Sequence, residues 1–217
     1  MPVPISDWIA KAQKAAEEGN AADVENALTM LGLVYHLGSL ASLDATINDN
    51  TGDTILHVAA ANGRLAVIKK IADQIWSRCP DWPKRVQRYC FATKRNKAGN
   101  TALHLAVRQS DIEIVQAVYR FAQNDFLPGD DRYGHIPVED LTDRIDTEDF
   151  GPALVFLMAK NGEGRDAAAE ARWIGQEANA RWCEDVIERL DPERKYQSEA
   201  EASYLSDFVA DLYTLDE

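Results

Sequence analysis

Two stretches of the sequence nearly repeat each other, and an internal repeat constrains the fold more than any other feature of the chain. They are NTGDTILHVAAANGRLAVIKKI, residues 50–71, and KAGNTALHLAVRQSDIEIVQAV, residues 97–118. In each, a Gly-x-Thr-x-Leu-His motif precedes a short apolar stripe and then a second apolar segment. A unit of this kind cannot bury its apolar face alone, but it can do so against a neighbouring unit. The chain is therefore expected to fold as an array of stacked units.

Each unit has the sequence pattern of a turn, a short helix, a second turn and a second helix. The glycine of the motif suits a turn, and Thr54 or Thr101 after it can cap the first helix through its hydroxyl group. Gly63 breaks the first helix, and the apolar residues after it recur at helical spacing. The pattern predicts an all-α fold.

Two further stretches match the unit less completely. KAAEEGNAADVENAL, residues 14–28, matches the middle of the clear copies, and DRYGHIPVEDL, residues 131–141, matches their beginning. The array is predicted to occupy residues 1–160, with a partial unit at 8–30, clear units at 50–72 and 97–120, and a degenerate unit at 131–160.

The motif at 52–60 and 99–107 resembles the ankyrin repeat consensus, Gly-x-Thr-Pro-Leu-His-x-Ala-Ala. The resemblance implies a solenoid of about four helix-turn-helix units that binds another protein without catalysis. The glycines of the two clear copies are 47 residues apart, against a family period of about 33. About 14 residues are therefore inserted between them.

In ankyrin arrays the binding surface is usually a concave groove made of the turns and the first helices. Mapped onto this chain by the offsets of the motif, the expected protein-binding residues are polar or aromatic and do not follow the apolar stripe. They are Glu17, Glu18, Asp53, Asn62, Asn100, Arg108, Gln109, Arg132, Tyr133 and His135.

The insertion at 72–97 is basic and aromatic. It contains seven Lys and Arg residues against two acidic residues, together with four aromatic residues. This mixture occurs in nucleic-acid-binding surfaces and also in protein-binding hot spots, where Trp, Tyr and Arg are enriched. The simplest alternative is that the aromatic side chains pack on the array while the basic groups stay hydrated. The candidate protein-binding residues of the insertion are Trp82, Arg85 and Arg88.

His57 and His104 lie at the same offset in the two clear copies and raise the question of a metal or catalytic site. The ankyrin resemblance instead implies that each imidazole ties its turn to the start of the helix. One repeat would also separate the two rings by too much for a shared metal with ~2 Å bonds. The sequence contains no HExxH, GxSxG or Walker-type motif. We therefore predict no enzyme activity, no cofactor and no metal.

The last part of the chain, residues 161–217, is predicted to be an acidic helical cap. Apolar residues at steps of three and four predict one long amphipathic helix over 165–190, followed by a second helix after Ser198. Trp173 and Trp182 are expected in the core of this cap. A cap is expected because the last unit of an array otherwise exposes its stacking face.

The net charge of −13 lies in the last third of the sequence, because residues 139–217 contain 21 acidic and 8 basic residues while residues 1–138 contain 15 of each. This charge argues against binding to nucleic acid or to an anionic membrane surface, and it permits a cationic protein partner. Two functions remain open: an adaptor or effector that binds another protein, and an immunity or antitoxin-like inhibitor that blocks a basic toxin or nuclease.

The expected compartment is the cytoplasm. Three cysteines without CxxC spacing suit a reducing environment, and the N-terminus lacks the pattern of a secretory signal peptide. Secretion into a host cell by a route without such a signal stays open. No apolar run approaches the ~20 residues of a membrane span. We expect a monomer or a weak homodimer.

Overall fold

A computed structural model of the protein describes residues 4–36, 39–76, 91–122 and 151–194. Within these ranges the regular secondary structure is entirely helical, which confirms the predicted all-α fold. The helices are α1 (Ile5–Glu18), α2 (Ala21–Tyr35), α3 (Ser39–Asp44), α4 (Ile55–Ala61), α5 (Leu65–Trp76), α6 (Ala102–Ala106), α7 (Ile112–Tyr119), α8 (Gly151–Met158), α9 (Ala167–Trp173) and α10 (Glu177–Leu190). A 3-10 turn, Arg120–Ala122, follows α7.

Eight of these helices form four successive antiparallel pairs: α1 with α2, α4 with α5, α6 with α7, and α9 with α10. The first helices of the pairs pack side by side in the order α1, α4, α6, α9. The second helices form another layer in the order α2, α5, α7, α10. Helix α3 packs on α2 and α5, and α8 packs on α7, α9 and α10. The result is the stacked two-layer array that the repeats predicted.

Polar side chains set the starting points of the helices. Thr54 Oγ1 accepts a hydrogen bond from the backbone N–H of His57 at the start of α4. Asn20, Asp111 and Asp166 cap α2, α7 and α9 in the same way, with distances of 3.2, 2.9 and 2.8 Å. Such caps satisfy N–H groups that lack a partner within the helix and contribute about 1 kcal/mol each.

Small apolar residues allow the first helices to approach closely. The alanine pair Ala59 and Ala60 in α4 is fully buried, as are Ala106 in α6 and Ala171 in α9. Larger residues of the second helices, such as Ile68, complete a core that runs through all four pairs.

Residues 165–190 do not form the single long helix that the apolar spacing predicted. Gly175 has a left-handed backbone with φ of 81°, and the chain reverses there between α9 and α10. A residue with a Cβ atom adopts this conformation only with strain, whereas glycine adopts it freely. Together with the turn that precedes α9, this segment forms a fourth helix pair on the third one. The degenerate unit predicted at 131–160 lies largely outside the described residues, and its described part is α8.

The two tryptophans predicted in the cap core have different environments. Trp182 is buried and meets Tyr119 edge to face, with ring centres 5.4 Å apart. Trp173, in contrast, is 73% exposed, so its predicted place in the core is wrong. It is the last residue of α9 and lies, with the exposed Ile174, at the end of that helix just before the reversal at Gly175.

A candidate protein-binding groove

The first helices of the first three pairs are each linked to the turn of the next unit by one side chain. Gln13 Nε2 donates to the carbonyl oxygen of Asp53 at 3.1 Å. His57 Nε2 lies 3.0 Å from the carbonyl oxygen of Asn100, and His104 Nε2 lies 3.0 Å from that of Arg165. Three equivalent links therefore join the four helix pairs, and we call this series of links the ladder.

The hydrogen bonds of His57 determine its tautomer. A carbonyl oxygen only accepts, so Nε2 carries the proton and Nδ1 is an acceptor. Nδ1 receives the backbone N–H of Thr54 at 3.3 Å and lies 2.8 Å from the hydroxyl oxygen of Thr54. His104 makes the same contacts with Thr101. The predicted role of the two histidines, to tie the turn to the helix start, is confirmed.

Burial lowers the pKa of both His57 and His104, more than the nearby backbone carbonyls and acidic groups raise it. Both rings are therefore neutral at pH 7, as their use as hydrogen-bond bridges requires. Among the described residues, no group of three or more His, Cys, Asp or Glu side chains could hold a metal ion. Burial also raises the pKa of the Cys183 thiol, which keeps it protonated.

An asparagine organises each of the three described turns. Asn96 Oδ1 accepts the N–H groups of Ala98 and Asn100, both at 3.0 Å. Asn161 makes the same two bonds in the fourth unit, and Asn48 Oδ1 accepts the N–H groups of Asn50 and Thr51 in the second. These asparagines stand five or six residues before the N-cap residue of the following helix. That spacing is a sequence signal for the turn at 161–165, which the glycine motif alone does not predict.

The turns also bind one another. Lys97 N–H donates to the carbonyl oxygen of Thr51 at 2.9 Å, and Gly162 N–H donates to that of Ala98 at 3.1 Å. A Cβ atom on Gly99 would lie 2.5 Å from the backbone nitrogen of Gly162, so this close approach requires glycine. The edge of the array that carries the turns is therefore tightly connected.

Two of the predicted groove residues form hydrogen bonds between neighbouring turns at this edge of the array. Asp53 Oδ1 accepts from Asn96 Nδ2 at 2.8 Å, and Asn100 Oδ1 accepts from Asn161 Nδ2 at 3.1 Å. Asn100 is only 7% exposed, contrary to its expected outward orientation. Its amide satisfies a buried polar group of the next turn.

Four other predicted groove residues lie at the ends of the first helices. Glu17, Glu18 and Asn62 are exposed, and Gln109 is half-buried. Gln109 Nε2 donates to the carbonyl oxygen of Ala61 at 2.6 Å and so joins neighbouring units. The remaining candidates lie outside the described residues and stay predictions: Trp82, Arg85, Arg88, Arg132, Tyr133 and His135.

Arg108, the tenth groove candidate, belongs to a buried ionic cluster that the sequence did not reveal. Glu170, in α9, is 1% exposed and accepts from four donor atoms of three residues. Arg108 approaches Oε1 through Nε at 2.9 Å and Nη2 at 2.7 Å. Arg165 Nε and Asn161 Nδ2 bind Oε2 at 2.7 and 3.1 Å. We call Arg108, Arg165 and Glu170 the arginine–glutamate cluster.

The charge of Glu170 is stabilised by its partners. Burial alone raises the pKa of this carboxyl group, but the hydrogen bond from Arg165 and the positive charge of Arg108 outweigh burial. The pKa of Glu170 therefore lies below its ordinary value. The carboxylate is ionised at neutral pH and fixes both guanidinium groups beside the exposed surface.

Equivalent positions of the first helices form a row across this surface. Ala61, Arg108 and Trp173 each stand seven residues after the N-cap residue of their helix, and all three are exposed. Arg165 Cζ lies 5.1 Å from the centre of the Trp173 ring, so the arginine–glutamate cluster and the tryptophan are contiguous. We call Ala61, Arg108 and Trp173 the groove row, and this row with the adjacent turns is the candidate groove.

Helix pairs in two layers, hydrogen-bonded turns along one edge and a side-chain link from each first helix to the next turn define a helical repeat protein. The chain belongs to the ankyrin repeat family: the family model of ankyrin repeats (3 copies) matches residues 13–126, which is more than half of the sequence. The fourth helix pair lies beyond the matched residues.

Among solved structures, the fold is similar to a chain in the crystal structure of the yeast ribosomal protein Rps3 in complex with its chaperone Yar1. The TM-score is 0.53 at 22% sequence identity, over 83% of this chain and 93% of that chain. No curated protein sequence matches the chain. In the part of the chain that the structure describes, no helix combines the length and apolar character needed to cross a membrane.

Proposed function

We propose that the protein is a non-catalytic ankyrin-repeat protein that binds another protein in the candidate groove and acts as an adaptor or effector. The observation that carries this proposal is Trp173, whose side chain is mostly exposed beside the guanidinium group of Arg165. Tryptophan and arginine dominate the hot spots of protein interfaces, where one residue can contribute about 2 kcal/mol or more. An exposed tryptophan contributes little to the fold itself.

The rigidity of the surrounding residues supports the same function. Glu170 holds Arg108 and Arg165 in place before any partner arrives. A long side chain that is immobilised only on binding costs about 0.5–1.5 kcal/mol of conformational entropy, and these two arginines are already restrained. The turns beside them are joined by backbone hydrogen bonds. A preorganised surface of this kind favours protein binding over a purely structural role.

The structural neighbour adds support of a general kind. The matched structure is a complex of a ribosomal protein and its chaperone, so a similar fold occurs in an assembly of two proteins. At 22% identity the likeness concerns the fold, and the partner of this protein has to be found by experiment.

Photo-cross-linking tests the proposal in cells. A photoreactive phenylalanine derivative at position 61, where Ala61 is exposed in the groove row, should cross-link to a partner protein. The same group at Arg181, which is exposed on α10, is the control and should not give this product. Trp173→Ala in the chain that carries the group at position 61 should remove the product. Equal cross-linking from positions 61 and 181 would contradict groove binding.

The second candidate function, inhibition of a basic toxin or nuclease, is favoured by the excess of acidic residues in 139–217. Most of that excess falls outside the described residues, because 151–194 contain nine acidic and six basic residues. A purified complex would distinguish the two functions through its salt dependence. Charge-steered inhibition should weaken steeply between 50 and 500 mM salt, on the order of a hundredfold, whereas apolar groove binding should change little.

A further inference from the structure

The arginine–glutamate cluster contains more positive than negative charge. Two guanidinium groups share one carboxylate: Glu170 binds Nε and Nη2 of Arg108 and Nε of Arg165. One carboxylate can accept about four hydrogen bonds, whereas each guanidinium group offers five N–H donors. The side chain of Arg108 is 39% exposed and that of Arg165 is 25% exposed. The cluster therefore presents more fixed N–H donors at the surface than Glu170 can satisfy.

The nearby carboxylate of Asp166 keeps its charge, but it is held at the start of α9. Its Oδ1 atom accepts the N–H of Ala169 at 2.8 Å, and the dipole of the helix partly offsets a negative charge at this position. Glu163 is a further exposed carboxylate in the turn. Planar guanidinium groups with free N–H donors match the geometry of a carboxylate.

An apolar contact surface lies directly beside these donors. The ring of Trp173 is 73% exposed, and the guanidinium group of Arg165 lies 5.1 Å from its centre. Ile174, the next residue, is also partly exposed. A ligand group that meets Arg165 and Arg108 is thus close enough to place a neighbouring apolar group on the indole.

The other end of the groove carries charges of both signs. Glu17 and Glu18 are exposed at the end of α1, but Lys14 Nζ lies 3.6 Å from Glu18 and Arg64 Nε donates to the carbonyl oxygen of Glu17 at 2.8 Å. The charges at this end are balanced, so the arginine–glutamate cluster is the part of the groove where an acidic segment gains attraction.

We propose that the C-terminal end of the groove recognises an acidic peptide segment of the partner protein, with an Asp or Glu side chain on Arg108 and Arg165 and an adjacent apolar side chain on Trp173. This inference rests on the proposed function, since it specifies the partner of the same groove. It identifies the recognised group by chemistry: a carboxylate next to an apolar side chain.

A phage-displayed library of random 12-residue peptides, selected on the full chain, tests the inference. Recovered peptides should be enriched in Asp or Glu adjacent to an apolar residue. In synthetic peptides, replacement of the acidic residue by its amide should weaken binding at least tenfold, and this loss should shrink in 500 mM salt. The amide replacement leaves the protein unchanged, so it does not depend on whether a variant folds.

Protein variants then locate the contact. Trp173→Ala should weaken binding of the recovered peptides at least tenfold, while Leu33→Ala, which removes another exposed apolar side chain on α2, should not. Arg108→Gln should reduce the difference between acid and amide peptides, whereas Arg181→Gln, with the same change of charge on α10, should retain it. Thermal unfolding of each variant is the control that tests whether its fold persists.

Different results separate this inference from the proposed function. One such result is that Ala61→Arg abolishes binding of the recovered peptides, while their acidic and amide forms bind the wild-type protein equally well. The acidic preference would then be wrong, and groove binding would be retained. Peptides that are insensitive to both Ala61→Arg and Trp173→Ala would contradict the groove itself. Tight binding of a synthetic peptide of this chain's own residues 195–217 in the same place would replace the partner with the chain's own tail and overturn the inference as stated.

Discussion

Glu170 illustrates how one residue can support both the fold and the surface. It lies in α9, yet its carboxylate binds Arg108, 62 positions earlier in the sequence, and Asn161 and Arg165 of the preceding turn. A buried carboxylate is stable only when its charge and its hydrogen-bonding capacity are both satisfied. Here four donors satisfy it, and the third and fourth helix pairs are joined as a result.

Glu170→Ala should therefore destabilise the protein markedly. The substitution leaves the buried amide of Asn161 and two partly exposed guanidinium groups without their common acceptor, and the loss of hydrogen bonds to a charged, buried group costs about 1–3 kcal/mol. Urea unfolding followed by circular dichroism measures the loss. Glu163→Ala, which removes an exposed carboxylate from the same turn, should change the free energy of unfolding by less than about 0.5 kcal/mol. Equal midpoints for the two variants would show that the cluster does not stabilise the fold.

The buried histidines make a second residue-scale prediction, about pH. The pKa of His57 and of His104 is lowered in the folded state, so between that value and about 6.5 the unfolded chain binds more protons than the folded one. Stability contributed by the neutral rings is therefore complete above pH 6.5 and is lost as the pH falls below it. Glu170, whose pKa is also lowered, loses its contribution only below about pH 4.5.

His57→Gln should reduce this pH dependence. Gln13 shows that a glutamine side chain can make the link to the next turn. At pH 7.5 the free energy of unfolding of the variant should be about 1 kcal/mol below that of the wild type, because the contact with Thr54 is lost. Between pH 7.5 and 5.5 the free energy of unfolding should fall less in the variant than in the wild type. Urea midpoints at both pH values provide the measurement. An unchanged slope in His57→Gln would contradict the assignment.

At the scale of elements, the fourth helix pair ends the ladder within the described residues. Ala169 stands where the first three pairs have Gln13, His57 and His104, so α9 offers no side-chain link to a further turn. The exposed side of this pair carries the ion pair between Arg172 and Glu184. A terminal unit with a polar outer face is what an array needs at its end. This helix pair thus continues the repeats and also closes their described part.

The contact between the turns that precede the third and fourth helix pairs can be tested with two matched glycines. Gly99 and Gly164 have similar left-handed backbones, with φ of 76° and 75°, so an alanine costs about 1 kcal/mol of strain at either position. At Gly99 the new Cβ atom also meets the backbone of Gly162, whereas at Gly164 nothing lies within 4 Å. Gly99→Ala should therefore lose about 2 kcal/mol more than Gly164→Ala in urea unfolding. Equal losses would mean that the turns can separate without cost.

At the scale of the whole molecule, the sequence predicts the repeats better than the surface. The Thr-x-Leu-His motifs identify α4 and α6 because each residue of the motif has a local role at the helix start. The fourth pair lacks that motif, and its turn depends on Asn161, which the glycine pattern does not include. The partnership of Arg108 with Glu170 and the exposure of Trp173 depend on how distant segments stack, and local periodicity does not contain that information.

The ladder also predicts how the molecule opens. Among the described helices, each pair packs mainly against the pairs next to it, so damage at one end should loosen that end first. Gln13→Ala removes the link between α1 and the turn at Asp53. Asn179→Ala removes the bonds from α10 to the carbonyl oxygens of Val107 and Gln109 at the other end.

Hydrogen exchange followed by mass spectrometry should resolve the two ends. The loss of about 1 kcal/mol per link corresponds to exchange that is about fivefold faster. Gln13→Ala should accelerate exchange in α1 and α2 and leave α9 and α10 unchanged, and Asn179→Ala should do the reverse. Each variant is thus the control for the other. Uniform acceleration throughout the chain in either variant would show that the four helix pairs open as one cooperative unit, and the nearest-neighbour description would then be wrong.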